Sequence, residues 1–418
     1  MKLFFSFLLK LNLYLLLTRS TTMCDNKCSD TIEICKMYDI IYGIIEISTI
    51  AKKITEHPLF QRMKNIRQLG PLRFVFNYAD HDRFSHSIGV AYLSRYVGNT
   101  LKAKDPNITD RMILCLEIAG LCHDLGHGPF SHSFDNLIDN QGTKSKYAKH
   151  EERSKKLTEL IIKSIPSLGI SDDEIHIIQH FINPEEIKVE FPEGLDQIVS
   201  NNIHKFDVDK MDYLVRDAHM LRLNMVIDTK CNVLNMLQNT EIVDDPVTKK
   251  KCWMFHIKDS VTVYDLICRR FIHYNNFYLH PRVNSINCML IDALSILNNL
   301  SPITECIELD SIDNAEKFAK LTDDYIIELL LNIKDTKYAQ AKKLIENIIN
   351  GEEIYDPYGD TTYPSSNSDK MISHAELTQN ICKDDSAPTI LLPKVKYYKD
   401  GKIIVHESTE NKKRIYKK

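Results

Sequence analysis

The feature that most constrains the fold of this chain is a long stretch of helical hydrophobic periodicity. From about Met37 to Leu300, apolar residues recur mostly at spacings of three and four, and Gly, Pro and Asn residues separate the repeats. Such spacing puts apolar side chains on one face of successive helices, whereas strict alternation, the mark of a half-buried strand, is rare here. We therefore predict an all-α, mainly helical protein with small β elements toward the C-terminus.

Seven helices are predicted in this stretch, and two more follow it. Thr109 or Asp110 would cap the third helix, and the turn residues 126–129 would end it. Two short segments, 74–76 and 252–257, resemble strands. The predicted helices span residues 59–69, 84–101, 109–124, 157–165, 172–181, 208–221, 263–278, 321–333 and 338–349.

The two ends of the chain differ from this helical region. Residues 1–22 resemble a signal peptide, but Lys10 interrupts the apolar run and no small-residue cleavage site follows, so a true start at Met23 is an equal alternative. The apolar run is too short for a comfortable membrane span. We predict one helical domain over 36–350, a flexible linker over 351–389, and a short segment over 390–418 with a possible strand pair and a basic tail.

Charge and cysteine content narrow the class of protein. The net charge of −4 is too near neutral to argue by itself for a nucleic-acid or membrane surface as partner. The 11 cysteines are scattered, and several lie in apolar runs, which is typical of reduced thiols packed in a core. We expect an intracellular protein, of the cytoplasm or nucleus, without a stable membrane partner.

Potential metal ligands cluster at the end of one predicted helix. The ten residues from His123 to His132 contain three histidines and an aspartate, and glycines here allow the backbone to approach a ligand closely. The adjacent pair His123 and Asp124 can point into one cavity and offer an imidazole nitrogen and a carboxylate to one divalent cation.

Two residues rarely suffice for a metal ion, so further ligands should lie elsewhere in the chain. His86 lies near the start of a predicted helix whose remaining face is apolar. Asp209, Tyr213 and Asp217 recur every four residues and share one face of another helix. Ligands of the form His, His-Asp and Asp, each on its own helix, describe the site of HD-type metal phosphohydrolases.

Three segments together resemble the dNTP triphosphohydrolases of the SAM-and-HD-domain type and their bacterial dGTPase relatives. They read HDRFSHSIG at 81–89, AGLCHDLGHGPFSH at 119–132 and FDVDKMDYLVRD at 206–217. The resemblance extends from about Lys36 to Lys343. Since few residues precede Lys36 and the C-terminal lobe of the vertebrate proteins is shortened, we expect a catalytic core without the SAM domain.

The resemblance implies a metal centre and an adjacent group of catalytic residues. One divalent ion is implied, and Fe, Mn, Zn or Mg suits a site with nitrogen and oxygen ligands, with an additional Mg conceivable on the triphosphate. His132 would be catalytic, His127 would contact phosphate, and Asp135 with the pair His150 and Glu151 would support His132. A solvated helix start explains His150 and Glu151 equally well. The implied metal ligands are His86, His123, Asp124 and Asp209.

The resemblance also implies contacts to a deoxynucleoside triphosphate. Tyr278 would pack against C2′ of the sugar, although a core aromatic at helical spacing is the alternative. Met220 and Tyr274 stand where the vertebrate pattern has histidines, so the contacts to base and phosphate can differ. The implied contacts are Arg83, Lys210 and Arg270 to phosphate, Tyr213 and Asp217 to the 3′-hydroxyl, and Gln68 and Leu69 near the base and 3′-hydroxyl.

The expected reaction is hydrolysis at the α-phosphorus, which releases deoxynucleoside and inorganic triphosphate. A metal ion would neutralise charge on the phosphoryl oxygens, and His132 could protonate the leaving 5′-oxygen. Two alternatives stay open at this point. One is an HD phosphohydrolase of nucleoside monophosphates or signalling nucleotides, and the other is a protein that contacts single-stranded nucleic acid weakly through its basic tail.

Four further residues match positions of an activating nucleotide site in the vertebrate enzymes. An ordinary charged helix surface explains the four residues at least as well. We expect a homo-oligomer, either dimer or tetramer, with nucleotide activation that is weak or absent. The four residues are Lys36, Glu56, Gln61 and Lys64.

Overall fold

The computed structural model describes residues 32–185, 189–223, 229–245, 249–355, 396–399 and 402–405. Across these ranges the chain is mainly helical, which confirms the predicted fold class. No helix within them is both long enough and apolar enough to cross a membrane. The predictions for residues 1–22, for most of the linker and for the basic tail concern residues outside the described ranges.

The described ranges contain 14 α-helices, joined by short 3-10 turns. The helices are α1 (Thr49–Thr55), α2 (Pro58–Gln61), α3 (Arg83–Lys102), α4 (Asp110–Cys122), α5 (His132–Asn140), α6 (His150–Ser164), α7 (Asp172–Ile182), α8 (Val208–Met220), α9 (Thr229–Gln238), α10 (Ser260–His273), α11 (Pro281–Leu300), α12 (Ile312–Phe318), α13 (Asp323–Asn332) and α14 (Ala339–Asn350).

Two small sheets accompany the helices. An N-terminal hairpin pairs β1 (Ile34–Asp39) with β2 (Gly43–Ser48) in antiparallel register. The second sheet has the order β3 (Glu241–Asp244), β4 (Lys251–His256), β5 (Lys396–Lys399) and β6 (Lys402–Val405). Strand β5 runs parallel to β4 and antiparallel to β6. The strands predicted near 252–257 and 390–404 are therefore present.

The N-terminal hairpin corrects the prediction of helix from Met37 onward. In β2 the side chains alternate, since Ile45 is 1% exposed and Ile44 is 73% exposed. The isoleucines in this region satisfy a helical and an alternating pattern alike, so periodicity could not decide between them. The turn between β1 and β2 favours the hairpin over a helix, because the Asp39 carboxylate accepts hydrogen bonds from the backbone N–H groups of Ile41 at 2.7 Å and Tyr42 at 2.9 Å.

The predicted helix over 59–69 and the predicted strand over 74–76 are also wrong. Helix α2 ends at Gln61, a 3-10 turn follows, and Ile66 is extended. The backbone N–H of Arg67 donates to Asp323 at 3.0 Å and that of Gln68 donates to the His81 carbonyl at 3.0 Å. These tertiary hydrogen bonds outweigh the local helical spacing. The segment 70–74 forms another 3-10 turn.

The other predicted helices are present, with shifted ends. Thr109 caps α4 as predicted, because its hydroxyl accepts from the Met112 N–H at 3.2 Å. Helix α6 begins at His150, seven residues before the predicted start, and α10 ends at His273, where a π-turn over Tyr274–Tyr278 replaces the predicted continuation.

Close packing of α3 against α4 and α8 holds the centre of the domain together. A Cβ atom at Gly120 of α4 would lie 2.4 Å from the Ser94 hydroxyl of α3. A Cβ atom at Gly89 of α3 would lie 2.0 Å from an Asp212 carboxylate oxygen on α8. Only glycine permits these approaches. They bring the N-terminal end of α3, the C-terminal end of α4 and the first turn of α8 to one point.

Candidate active site

Three helix ends carry the four predicted metal ligands to this point. His86 lies near the start of α3, His123 and Asp124 follow α4 directly, and Asp209 lies in the first turn of α8. The N-cap residues of α3 and α8 are aspartates, each accepting a backbone N–H of its helix. Local capping thus fixes where these helices begin and so where the ligands stand.

The four side chains surround one small space. The Nε2 atom of His86 lies 3.0 Å from an Asp209 oxygen and 3.6 Å from an Asp124 oxygen. The Nε2 atom of His123 lies 3.4 Å from the same Asp209 oxygen and 3.5 Å from the other Asp124 oxygen. Two imidazole nitrogens and two carboxylates therefore converge on one space.

The residues present fit a divalent metal ion. His123 donates from Nδ1 toward the Gly120 carbonyl, 2.8 Å away, while its buried Nε2 makes no hydrogen bond among the described residues. With the proton on Nδ1, the lone pair of Nε2 faces the two carboxylates, as a metal ligand requires. His86 is oriented in the same way, since its Nδ1 lies 2.8 Å from Asp212.

The electrostatics of the four residues favour a cation. Burial by itself lowers the pKa of His86, but hydrogen bonds to Asp209 and Asp212 outweigh burial and raise it to about 10. Burial raises the pKa of Asp124, yet the Arg83 guanidinium and the adjacent histidines hold it well below its usual range. When no ion is bound, the protonated imidazole of His86 thus balances part of the negative charge of the carboxylates. A divalent ion would compete with that proton for the same site.

A buried chain of charges stands behind His86. Asp212 accepts a hydrogen bond from Arg216 Nε at 2.8 Å, and Arg216 donates to Asp39 of the N-terminal hairpin at 3.0 Å. Sequence reasoning missed Asp212 and Asp39. The spacing of four between Asp212 and Arg216 was a usable signal, whereas Asp39 lies 177 positions from Arg216 and offered none.

The predicted catalytic residues form a second cluster beside the first. His127 joins the two, because its Nε2 lies 3.3 Å from Asp124 and its Nδ1 lies 3.6 Å from Asp135. The His127 and His150 rings stack with centroids 3.9 Å apart, and His150 Nδ1 lies 2.9 Å from Asp135. His132 is 64% exposed, with Nδ1 3.8 Å from Asp135. His150 therefore faces the cluster, and its neighbour Glu151 lies 3.6 Å from it.

The histidines of this cluster differ in protonation. Burial and the charge of Arg83 hold the pKa of His127 well below its usual range, so its ring is neutral. Burial lowers the pKa of His150, but Glu151 and Asp135 raise it to about 9. Burial raises the pKa of Asp135, but Arg153 and His150 bring it well below its usual range. An anionic carboxylate thus lies next to His132.

Two buried arginines that sequence reasoning missed hold the loop between α4 and α5. Arg62 donates to the Leu125 carbonyl at 2.9 Å and to the His127 carbonyl at 2.5 Å. Arg153 donates to the Gly126 carbonyl at 2.7 Å and pairs with Asp135. Neither arginine belongs to a recognisable local pattern.

The predicted phosphate contacts already have partners. Arg83 pairs with Asp124 and donates from Nε to the Ser131 hydroxyl at 2.8 Å. Lys210 donates to Asp207 at 2.9 Å. Arg270 Nε lies 3.2 Å from the Tyr213 hydroxyl. The structure thus places Arg83 against Asp124, Lys210 in the first turn of α8, and Arg270 against Tyr213 of α8.

Two of the predicted sugar contacts, Tyr278 and Asp217, are hydrogen bonded to each other. The Tyr278 hydroxyl donates to Asp217, and the other Asp217 oxygen lies 2.8 Å from His81 Nε2. His81 was missed as a site residue, although it opens the first motif. The buried Oε1 of Gln68 has no hydrogen-bond partner among the described residues. Gln68 and its neighbour Leu69 are partly buried.

The four residues matched to an activating site each contact another residue within the described ranges. Lys36 lies 3.9 Å from Glu46 across the hairpin, and Glu56 lies 3.2 Å from Lys52 one turn earlier. The Gln61 amide donates to a backbone carbonyl, and the Lys64 ammonium lies over the Phe84 ring. The charged-surface explanation stays open for them.

Comparison with known proteins places this site in a family. Residues 83–217 match the HD domain. Over 340 residues, the chain is 33% identical to the putative HD domain-containing protein L394 of Acanthamoeba polyphaga mimivirus. The aligned region covers 74% of this chain and 70% of that protein.

The chain belongs to the HD-domain family.

This HD-domain protein is also similar to enzymes named deoxynucleoside triphosphate triphosphohydrolase. It is 32% identical over 314 residues to the SAMHD1 homolog of Dictyostelium discoideum, covering 75% of this chain and 58% of the relative. It is 32% identical over 336 residues to SAMHD1 of Homo sapiens, covering 74% of this chain and 53% of the relative. The chain therefore spans a little over half of these two relatives, and the resemblance predicted from the motifs is confirmed.

Proposed function

We propose that this HD-domain protein hydrolyses deoxynucleoside triphosphates to deoxynucleoside and inorganic triphosphate. The observation that carries the proposal is the convergence of His86, His123, Asp124 and Asp209 immediately beside the cluster around Asp135. The similarity to two proteins named for this activity supports the same reaction.

In this proposal the metal centre and the exposed His132 have different roles in the reaction. A divalent ion, whether Fe, Mn, Zn or Mg, supplies Lewis-acid neutralisation of the phosphoryl oxygens when the four ligands hold it. Water adds to the α-phosphorus and the bond to the 5′-oxygen breaks. His132 gives that oxygen its proton, and the proton that the attacking water releases to solvent restores the protonated imidazole. Asp135 lies 3.8 Å from Nδ1 of His132 and so places a carboxylate beside this imidazole.

The remaining predicted contacts would hold the substrate. Arg83, Lys210 and Arg270 are cations suited to triphosphate oxygens, and a second Mg on the triphosphate would add to them. Tyr213 and Asp217 would bind the 3′-hydroxyl. Because Arg83 pairs with Asp124 in the free protein, substrate would have to compete for its guanidinium.

The test is product analysis with each of the four dNTPs, with and without added divalent metal. We expect equal amounts of deoxynucleoside and inorganic triphosphate, only in the presence of metal, because the bond that breaks is the one to the 5′-oxygen. Stepwise release of phosphate would assign a different reaction. Hydrolysis confined to nucleoside monophosphates or signalling nucleotides would favour the alternative HD phosphohydrolase activity.

Replacing Tyr278 by alanine is expected to narrow the preference for dNTPs over ribonucleotides. A ring against C2′ leaves no room for a hydroxyl, so its removal should lower the ratio of kcat/KM for dCTP over CTP by about tenfold, as for other small steric differences. Tyr274→Ala removes a neighbouring ring, 5.0 Å from Tyr278, and is the matched control. An unchanged ratio in Tyr278→Ala would make this tyrosine a core residue.

We also propose that the protein assembles as a homo-oligomer, either dimer or tetramer, with nucleotide activation that is weak or absent. The support is the partial match of Lys36, Glu56, Gln61 and Lys64 to an effector site. Adding GTP to the dNTP assay, with light scattering on the same samples, measures both parts of this proposal.

A further inference from the structure

Asp323 is a buried carboxylate with an unusual set of partners. It is the first residue of α13, outside the segment that matches the HD domain, and its exposed fraction is 0%. One oxygen accepts the backbone N–H of Phe130 at 2.6 Å, and the other accepts the backbone N–H of Arg67 at 3.0 Å. The residue thus joins two segments that are far apart in sequence.

Asp323 is neither the cap of its helix nor a member of an ion pair among the described residues. Thr322 already caps α13, since its hydroxyl accepts the Tyr325 N–H at 3.2 Å. Among the described residues Asp323 has no ion pair within 4 Å, whereas the adjacent Asp324 lies 3.7 Å from Arg73. Burial raises the pKa of Asp323 to about 6, while the two backbone N–H donors oppose that rise. A buried carboxylate is costly unless hydrogen bonds compensate it, so both bonds to the backbone matter.

One of the two N–H groups, that of Phe130, belongs to a backbone stretch with unfavourable dihedral angles. Phe130 and Ser131 both have φ near +57°, which non-glycine residues rarely adopt. The Ser131 hydroxyl donates to the Arg67 carbonyl at 2.6 Å and accepts from Arg83 Nε at 2.8 Å. The Asp323 carboxylate therefore closes a ring of hydrogen bonds around the two residues that immediately precede His132.

We infer that Asp323 is a positioning residue for His132 and Arg83. Its carboxylate fixes Phe130 and Arg67, and these fix the direction in which α5 begins and the place where Ser131 holds the Arg83 guanidinium. The inference rests on the proposed dNTP hydrolysis for its catalytic consequence. The hydrogen bonds on which it depends can be measured without any substrate.

The first test is Asp323→Asn, which keeps the size of the side chain but turns one acceptor into an N–H2 group facing a backbone N–H. We expect kcat to fall by about 10²-fold, the cost of misplacing a reacting group by about 1 Å, with a smaller rise in KM because Arg83 is displaced as well, and with the metal content kept. Asp324→Asn is the matched control, because it alters the adjacent surface carboxylate, and it should keep the wild-type kcat. Asp323→Glu restores a carboxylate and should recover part of the loss.

The second test measures amide hydrogen exchange at Phe130 and Arg67. Both amides should exchange slowly in the wild type and in Asp324→Asn, and at least tenfold faster in Asp323→Asn, because the acceptor is lost. If Asp323→Asn fails to fold, the exchange rates of the wild type and the kcat of Asp323→Glu still test the inference. Fast exchange of Phe130 in the wild type, or wild-type kcat in a folded Asp323→Asn, would overturn the inference. A wild type without dNTP hydrolysis but with these exchange differences would instead refute the proposed reaction.

Discussion

Replacing His123 or Asp209 by alanine is expected to remove the bound divalent ion and the hydrolytic activity together. Each variant deletes one of four donors, and Asp209 lies within 3.4 Å of both imidazole Nε2 atoms. Losing an outer partner of a metal ligand commonly costs about 10–100-fold in metal affinity, so losing a ligand should cost more. Metal analysis of the purified variants, together with titration against a competing chelator, measures the loss directly.

Controls for this experiment lie on an exposed helix surface. His176 and Asp173 are exposed residues of α7, so His176→Ala and Asp173→Ala remove the same chemical groups away from the site. Both should keep the metal and the activity. Full metal occupancy in His123→Ala and Asp209→Ala would mean that the ion binds elsewhere.

Replacing His132 by alanine is expected to leave the metal in place and to slow hydrolysis by about 10²–10⁴-fold, the range for removal of a general acid. His132 belongs to the second cluster, where its Nδ1 lies 3.8 Å from Asp135. Single-turnover rates and metal content, measured on the same preparation, separate the two effects.

The matched control is His219→Ala, which removes an exposed histidine from α8. It should keep both rate and metal content. Loss of metal in His132→Ala would show that this histidine helps to hold the ion. An unchanged rate of hydrolysis in this variant would mean that another group is the general acid.

Much of the site could be predicted because its key residues lie in contiguous motifs at helix ends. His123 and Asp124 follow an apolar helix that Thr109 caps, and Asp209 follows an N-cap aspartate, so local rules fix their positions. The sequence also predicted that the ligands come from separate helices.

The residues that support the site could not be predicted, because each acts over a long distance in sequence. Arg62 contacts carbonyls more than 60 positions away, and Asp323 contacts Phe130 across 193 positions. Tertiary hydrogen bonds also explain why the predicted helix over 59–69 is wrong, because the backbone N–H groups of Arg67 and Gln68 donate to acceptors outside this segment. Local spacing carries no information about such partners.

The parallel pairing of β5 with β4 affects how this protein can be cut into fragments. Phe255 and His256 of β4 pair with residues 397 and 398, which follow the predicted helical domain by almost 50 positions. A fragment that ends at residue 350 would leave that edge of β4 with open backbone groups, next to the buried Trp253 and Phe255. Exposed strand edges recruit strands from other molecules. We therefore expect the last two strands to limit aggregation by covering this edge of β4.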